Sequence, residues 1–566
     1  MSVAPGSALR RLADLPPFDV GADEELDESL AAADIDATSR DLRAAALVVG
    51  CSGVVPALLA LPLSGRWVLP FACLAVCASA LLGYGLLALP GLLATARRAR
   101  ALGGAPDLVG LAVLRARVAP TPEGTAAFAA EHGRGPLTTA LREHVDRARG
   151  APGAGWGTFA DEWAGERGLA RAVSLLRAGV DAPESERGRL LDRAFGAALD
   201  GARERSAAFA ADARGPVGAV YAFGVVLPLA LVAALPAAQG AGLPVSTPLL
   251  AAVYDLALPL TLVAACGWVL VRRPAAFPPE RVPESHPAVP ERVRSVALAA
   301  LGAGVVAAVA SRTVLPSWAL VSAPGVAAGA ALFVWFRPVY AVRKDVQDLE
   351  SGLPDALSFV GRRLSRGEPP ETALAAAGRV DGPAGDAFAG AGAVQRRIRV
   401  GVRDALLGEH GTLADVPSPR ARAGAELLAL AAREGAHGGR VLVELADHID
   451  DLRSVEDETR RELAGLVSTL RNTACCFAPL VGGITVALAG RLTSDATGQF
   501  LHPVPVAPLG TVVGVYVLFL AALLAGFAAA LERGLDRARI GYHVGIALLA
   551  AGTVYPVAAA GADLLL

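Results

Sequence analysis

Residues 441–490 read VLVELADHIDDLRSVEDETRRELAGLVSTLRNTACCFAPLVGGITVALAG. The first thirty are charged and helical in pattern, and residues 473–490 form an apolar run long enough to enter the roughly 30 Å of hydrocarbon in a bilayer. No helix breaker stands at the join. A polar helix that continues directly into an apolar span defines an all-α membrane protein with helical modules outside the bilayer. It also lets motion in the module pass straight to a membrane helix.

Composition agrees. Of 566 residues, 54% are hydrophobic, only 19% are charged, and 62 are glycine; mean hydropathy is +0.47. An ordinary globular chain is roughly 45–50% apolar with glycine included. These values exclude a disordered chain, an all-soluble enzyme and, with a net charge of −2, a nucleic-acid binder that relies on positive charge. Lys344 is the only lysine among the 52 basic residues. It follows Val-Arg with no glycine-rich turn, which argues against a P-loop, a Schiff-base lysine and a protein kinase. Cys51, Cys73, Cys77, Cys266, Cys475 and Cys476 lie in or beside apolar runs with no Cys-x-x-Cys pair, so they read as small packing residues. The eight scattered histidines have no zinc-ligand spacing, and no Gly-x-Ser-x-Gly elbow occurs. No metal and no cofactor are expected.

Nine apolar runs are long enough to be spans: 44–63, 67–93, 216–238, 248–271, 295–311, 318–337, 473–490, 505–531 and 541–562. The first begins after 43 residues and is followed at once by the second, so it reads as a span, not a cleaved signal. The leader, with Asp23, Glu24, Glu25, Asp27 and Glu28 clustered, reads as a mobile acidic tail. With the leader inside, 49 basic residues face one side and only Arg66, Arg312 and Arg491 the other; short loops and leader alone give 12 against 3. The positive-inside rule then places the N-terminus in the cytoplasm and the C-terminus outside. The expected organisation is an acidic cytoplasmic leader (1–43), a transmembrane hairpin (44–93), a first cytoplasmic helical module (94–215), four transmembrane helices (216–337), a second cytoplasmic module (338–472) and three transmembrane helices (473–566).

A repeat underlies this map. Gly104-Ala-Pro-Asp107 aligns with Gly352-Leu-Pro-Asp355 at an offset of 248 residues, and Pro122-Glu123 then falls on Pro370-Glu371. Four spans separate the modules, an even number, so the repeats are parallel and face one side. In the second module Leu353, Leu357, Val360 and Leu364 form a helical stripe, with Pro354 placed as a helix start. Arg366 to Pro370 breaks that helix, Glu371 to Ala377 begins the next, and Ala421–Arg433 and Val441–Leu470 complete a small antiparallel bundle.

The stretch GLPDALSFVGRRLSRGEPPETAL (352–374) resembles the signature of the type II secretion system F family, the membrane platform proteins of type II secretion, type IV pili and archaella. Leu353, Pro354, Asp355, Pro370 and Glu371 carry the match. Two copies in a nine-span chain resemble the archaeal members. The first copy departs from the pattern at Ala105 and over Gly110-Leu-Ala-Val, and the resemblance covers about 94–240 and 338–490. It implies a non-enzymatic platform, expected as a dimer, beneath a growing filament. Its cytoplasmic bundles would bind a separate hexameric secretion ATPase and couple that motor to extraction of pilin or archaellin subunits from membrane lipid.

Candidate ATPase contacts are Arg396, Arg397, Arg399 and Arg403, and the acidic group around Asp450 and Asp451 with Glu456, Asp457 and Glu458; charged faces guide docking. The plainer reading is that helices need solvated faces and that Arg453, Arg460 and Arg461 neutralise the acids. Asp255, inside the fourth span, is either a functional intramembrane acid or a residue reaching headgroups or bonding within the bundle. Gly325/Gly329, Gly510/Gly514 and Gly541/Gly545 match the close-packing spacing of membrane helices, but about seven such pairs arise by chance at this glycine content. Pro56, Pro228, Pro259, Pro479 and Pro556 are expected to kink their spans. The alternatives are a secondary transporter, which fits parallel repeats and broken helices but lacks a polar lining, and a membrane enzyme or sensor, for which no catalytic cluster is present.

Overall fold

The computed structural model describes residues 21–565 apart from 22, 33, 34, 36, 61–67, 134, 149–153, 241–245, 274–281, 283–285, 287, 290–292, 315–318, 435 and 496–505. Among the described residues it is about 89% helical with no strand. Eight helices are long and apolar enough to cross a membrane: Ala75–Arg117, Glu184–Ala238, Thr247–Arg272, Val293–Arg312, Val321–Ser365, Gly438–Leu492, Ala507–Arg533 and Arg537–Leu565. The chain is therefore an all-α, multi-pass membrane protein.

The apolar run at 44–63 is not among the eight. It is described as two short helices, Ser39–Cys51 and Val54–Ala60, parted at Ser52-Gly53, and residues 61–67 lie outside the described residues. Ser39–Cys51 packs back along Val68–Gly103, where Ser79 Oγ donates to the Gly50 carbonyl at 2.9 Å. The leader also differs from a mobile tail over its described part. Glu24–Ala32 is a helix with Leu30 fully buried. Asp27 accepts from the Ser39 amide (2.7 Å) and hydroxyl (2.9 Å), beside a capping box made by Thr38 and Asp41. Charge density alone favoured solvent; one apolar side chain and two charge-assisted hydrogen bonds reverse that.

Several of the long helices serve both the membrane and the polar modules. Glu184–Ala238 and Gly438–Leu492 have 55 residues each, roughly 80 Å at 1.5 Å per residue, so each outruns the hydrocarbon by roughly 50 Å. Their polar halves complete two helical bundles with separate cores. The first bundle buries Leu108, Val113, Trp156, Phe159 and Leu176. The second buries Leu353, Leu357, Val360, Phe388 and Leu428. The stripe Leu353, Leu357, Val360 and Leu364 faces the second core as its spacing requires. The helix does not begin at Pro354, however: Ala319–Ser365 is one helix of 47 residues with Pro354 inside it. Arg453 donates to the Ser351 carbonyl, three residues before Pro354. The break at 366–369, the helix Pro370–Ala376 and the helices Pro419–Glu434 and Ala436–Asn472 lie where the pattern put them.

The membrane core joins residues 209–270 to 463–562, with Val225, Leu262, Val486, Tyr516, Leu520 and Ala551 inside it. Val293–Arg312 has none of its apolar window buried; it packs along Ala319–Ser365 and turns its leucines and valines outward. At one crossing the glycine spacing is used. A Cβ on Gly329 would lie 2.9 Å from the Gly545 carbonyl oxygen, and one on Gly545 would lie 2.7 Å from the Phe333 amide nitrogen. Small residues there let the two backbones touch.

Candidate coupling site

Each of the two 55-residue helices contains one π-turn, and the two turns sit at matching places. Ala222–Val226 follows Glu184–Tyr221, and Thr473–Phe477 follows Ala436–Asn472. A third, Ala252–Ala257, lies in the next span. A proline stands two residues beyond the end of every one: Pro228, Pro479 and Pro259. The residue before each proline closes the widened turn, with Leu227, Ala478 and Leu258 donating to Ala222, Thr473 and Val253. The proline then has no N–H with which to continue, and its ring crowds the preceding turn, so three of the five prolines expected to kink their spans stand beside π-turns, while Pro56 and Pro556 lie in helices without one.

At the first of these the lost donor is replaced. Pro228 cannot reach the Gly224 carbonyl four residues earlier, and the Tyr516 hydroxyl donates to it instead. Tyr254 donates to the Pro228 carbonyl at 2.6 Å. The two tyrosine rings meet edge to face, 5.4 Å apart at 89°, and both are fully buried. Asp255, next to Tyr254 in the third π-turn, is half-buried, and its Oδ1 has no hydrogen-bond partner among the described residues.

The polar bundles meet along their long helices. Val455 of the second bundle is buried in the core of the first, with Leu452 beside it. Arg117 pairs with Asp192 of its own bundle and with Glu444 across the junction at 2.7 Å. Arg203 reaches Glu458 at 3.6 Å and Ser454 at 3.3 Å, and the Phe195 and His448 rings lie 4.1 Å apart. Arg420 is held by Glu456 at 2.6 Å and Glu350 at 3.8 Å, facing Asp107 of the first bundle. Asp107 lies beyond the apolar part of its chain segment. Burial pushes its carboxyl up to about 7; the Arg420 charge opposes that rise and Glu456 adds to it.

The candidate contact residues fall into two places. Arg396, Arg397 and Arg399 are exposed at the end of the helix Pro383–Ile398 together with Ile398, and Arg399 closes that helix in a left-handed conformation (φ 55°). Arg403, just beyond, makes a forked ion pair with Glu426 at 2.8–3.1 Å. Asp450 and Asp451 are exposed on the long helix of the second bundle, where Arg203 of the first bundle acts on Asp451. Glu456, Asp457 and Glu458 are taken up by Arg420, Arg460 and Arg203. Of the motif residues, Leu353 and Pro354 are buried, Asp355 is exposed, and Pro370 and Glu371 are half-buried in the first turn of their helix, where a carboxylate suits the helix dipole. Asp355 and Asp107, matched by the repeat, thus stand in different surroundings. The Asp107–Arg420–Glu456 junction and the tyrosine pair carried no sequence signal, because Asp107 and Tyr254 lie hundreds of residues from their partners.

Among the described residues no group of three His, Cys, Asp or Glu side chains could hold a metal ion. No family model matches the chain, and no curated protein or solved structure matches it either.

Proposed function

We propose that the chain is a platform protein of a filament-assembly system of the type IV pilus or archaellum kind. It couples a separate hexameric ATPase to the extraction of pilin-like subunits from the membrane, and has no catalytic site of its own. On this reading the two bundles are parallel, cytoplasmic copies of one module, 44–63 is a ninth span, the N-terminus is cytoplasmic and the C-terminus outside, and the working unit is a dimer. One observation carries the proposal: two rods of 55 residues run from packed polar bundles into apolar spans, and each changes its helical pitch once, near the join. That is a mechanical linkage between the bundles and the membrane. The resemblance of residues 352–374 to the platform family supports the same reading, as do the exposed Arg396, Arg397 and Arg399. A secondary transporter is the second reading, which the parallel repeats and broken helices also fit and to which the structure adds the unpartnered Oδ1 of Asp255.

The test is co-purification with the host's secretion ATPase. The wild type captures the ATPase, and a variant with Arg396, Arg397 and Arg399 changed to Glu loses it while eluting as a folded, monodisperse species. Failure of the wild type to capture the ATPase overturns the platform reading.

A further inference from the structure

Four arginines gather around Glu532 where the polar bundles meet the spans, and only two of them pair with its carboxylate. Glu532 accepts from Arg539 at 2.6 Å and from Arg471 at 3.1 Å. Arg273 donates to the Leu531 and Glu532 carbonyls at 2.8 and 3.2 Å. Arg533 follows in the chain and makes no ion pair among the described residues; its Nε is buried without a hydrogen-bond partner. The Nε of Arg539, a residue nine-tenths buried, is equally unpartnered. The nearest further charges do not restore balance. Arg460 bears on both Arg273 and Arg533 and is itself engaged by Asp457; Glu456 bears on Arg533 but is already paired with Arg420 and Arg460, and Asp536 pairs with Arg343. Holding guanidinium groups together in a half-buried place without matching anions is unfavourable, and guanidinium groups match the geometry of phosphate.

Two neighbours set the depth. Trp268, one turn earlier on the helix that ends at Arg272, is stacked under the Arg272 guanidinium at 3.8 Å and stays partly exposed, an arrangement suited to the headgroup level. Leu535, in the turn after Arg533, is 64% exposed, an apolar side chain offered beside the charges. Basic pockets between spans at such a boundary suit anionic headgroups. We propose that Arg273, Arg471, Arg533 and Arg539 form a binding site for the phosphate of an anionic lipid headgroup, which supplies the missing negative charge and ties the 532–536 turn to the bilayer surface. This uses only the membrane assignment and is independent of any filament partner.

The experiment is native mass spectrometry of the whole protein in neutral detergent, supplied with equal amounts of phosphatidylglycerol and phosphatidylcholine. The wild type retains phosphatidylglycerol preferentially, and 0.5 M salt strips it. Arg533→Gln, which breaks no ion pair, weakens that retention about fivefold, the value of one basic side chain near an anionic surface. Arg533→Lys retains most of it, and Arg312→Gln, at the far membrane boundary, changes nothing. Equal retention of the two lipids by wild type overturns the proposal, as does a salt-insensitive preference. If inorganic phosphate at 10 mM displaces the lipid, or protects wild type against heat more than it protects Arg533→Gln, the site takes free phosphate and the lipid assignment fails.

Discussion

Tyr516→Phe tests the π-turn account most sharply. The substitution removes one oxygen from a fully buried ring and leaves its shape. In the wild type that hydroxyl donates to the Gly224 carbonyl, whose ordinary helical donor would be residue 228, a proline. The variant therefore leaves a buried acceptor short of its replacement donor. An unsatisfied buried polar group costs about 1–3 kcal/mol, and hydrogen bonds between membrane helices measured by double-mutant cycles average ~0.6 and reach ~1.7 kcal/mol. The expected loss is about 1–2 kcal/mol. Tyr555→Phe is the control. Tyr555 also donates to a buried carbonyl, that of Gly510 at 2.7 Å, but Gly510 lies in the uninterrupted helix Val506–Arg533 and keeps a backbone donor four residues on. Its loss should be under about 0.6 kcal/mol, the membrane average. Both variants are unfolded reversibly in mixed micelles by titration with sodium dodecyl sulfate, and amide exchange is followed over 222–230. Tyr516→Phe should be the less stable of the two and exchange faster there. Equal stabilities, or unchanged exchange in Tyr516→Phe, would refute the idea that the tyrosine replaces the proline's missing donor.

Other outcomes follow from the junctions. Asp107 is held neutral by burial, up to about 7, against about 3.9 in an unfolded chain. Its contribution is full below pH 4, is lost as pH rises toward 7, and stays lost above. Wild type should therefore lose on the order of 2 kcal/mol relative to Asp107→Asn between pH 5 and pH 8, read as the difference between their unfolding curves at each pH; parallel curves would contradict it. Gly545→Val drives a side chain into the Phe333 backbone and should cost about 1–3 kcal/mol in the same micelle titration, whereas Gly561→Val, with open space around it, should cost nothing measurable. Val455→Asp places a charge in the first bundle's core and should expose the junction to limited proteolysis between the bundles while leaving the spans intact.

Much of the architecture follows from two periodicities. The apolar runs and the Leu353–Leu364 stripe mark spans and a bundle face, because burial in lipid or in a helical core leaves that trace in any sequence. Two readings fail for reasons that lie outside local pattern. Pro354 looks like a helix start when only its neighbours are considered, but it lies inside the continuous helix Ala319–Ser365, one face of which is buried in the second core. The acidic leader looks solvated until Ser39 supplies Asp27 with two donors. The run at 44–63 has the hydropathy of a span; its described part is two short helices on either side of Ser52-Gly53, and residues 61–67 lie outside the described residues. The candidate site was legible by halves. Arg396, Arg397 and Arg399 stand exposed as a charged cluster at a helix end should. Glu456 and Asp457 are engaged by Arg420 and Arg460 of their own bundle and Glu458 by Arg203 of the other, and no spacing rule links residues 107, 203, 420 and 456. The Gly329 and Gly545 contact is likewise hidden among glycine pairs that chance alone supplies.

The central claim is that bundle motion reaches the membrane through an unbroken helix. The direct measurement inserts Gly-Gly-Ser after Leu470, ahead of the π-turn at Thr473–Phe477, and compares ATPase capture with filament assembly in a host lacking its own copy of the protein. The insertion should leave the bundle folded and the ATPase bound, and abolish filaments. Normal filaments from the inserted protein would show that the continuous rod is not the coupling element.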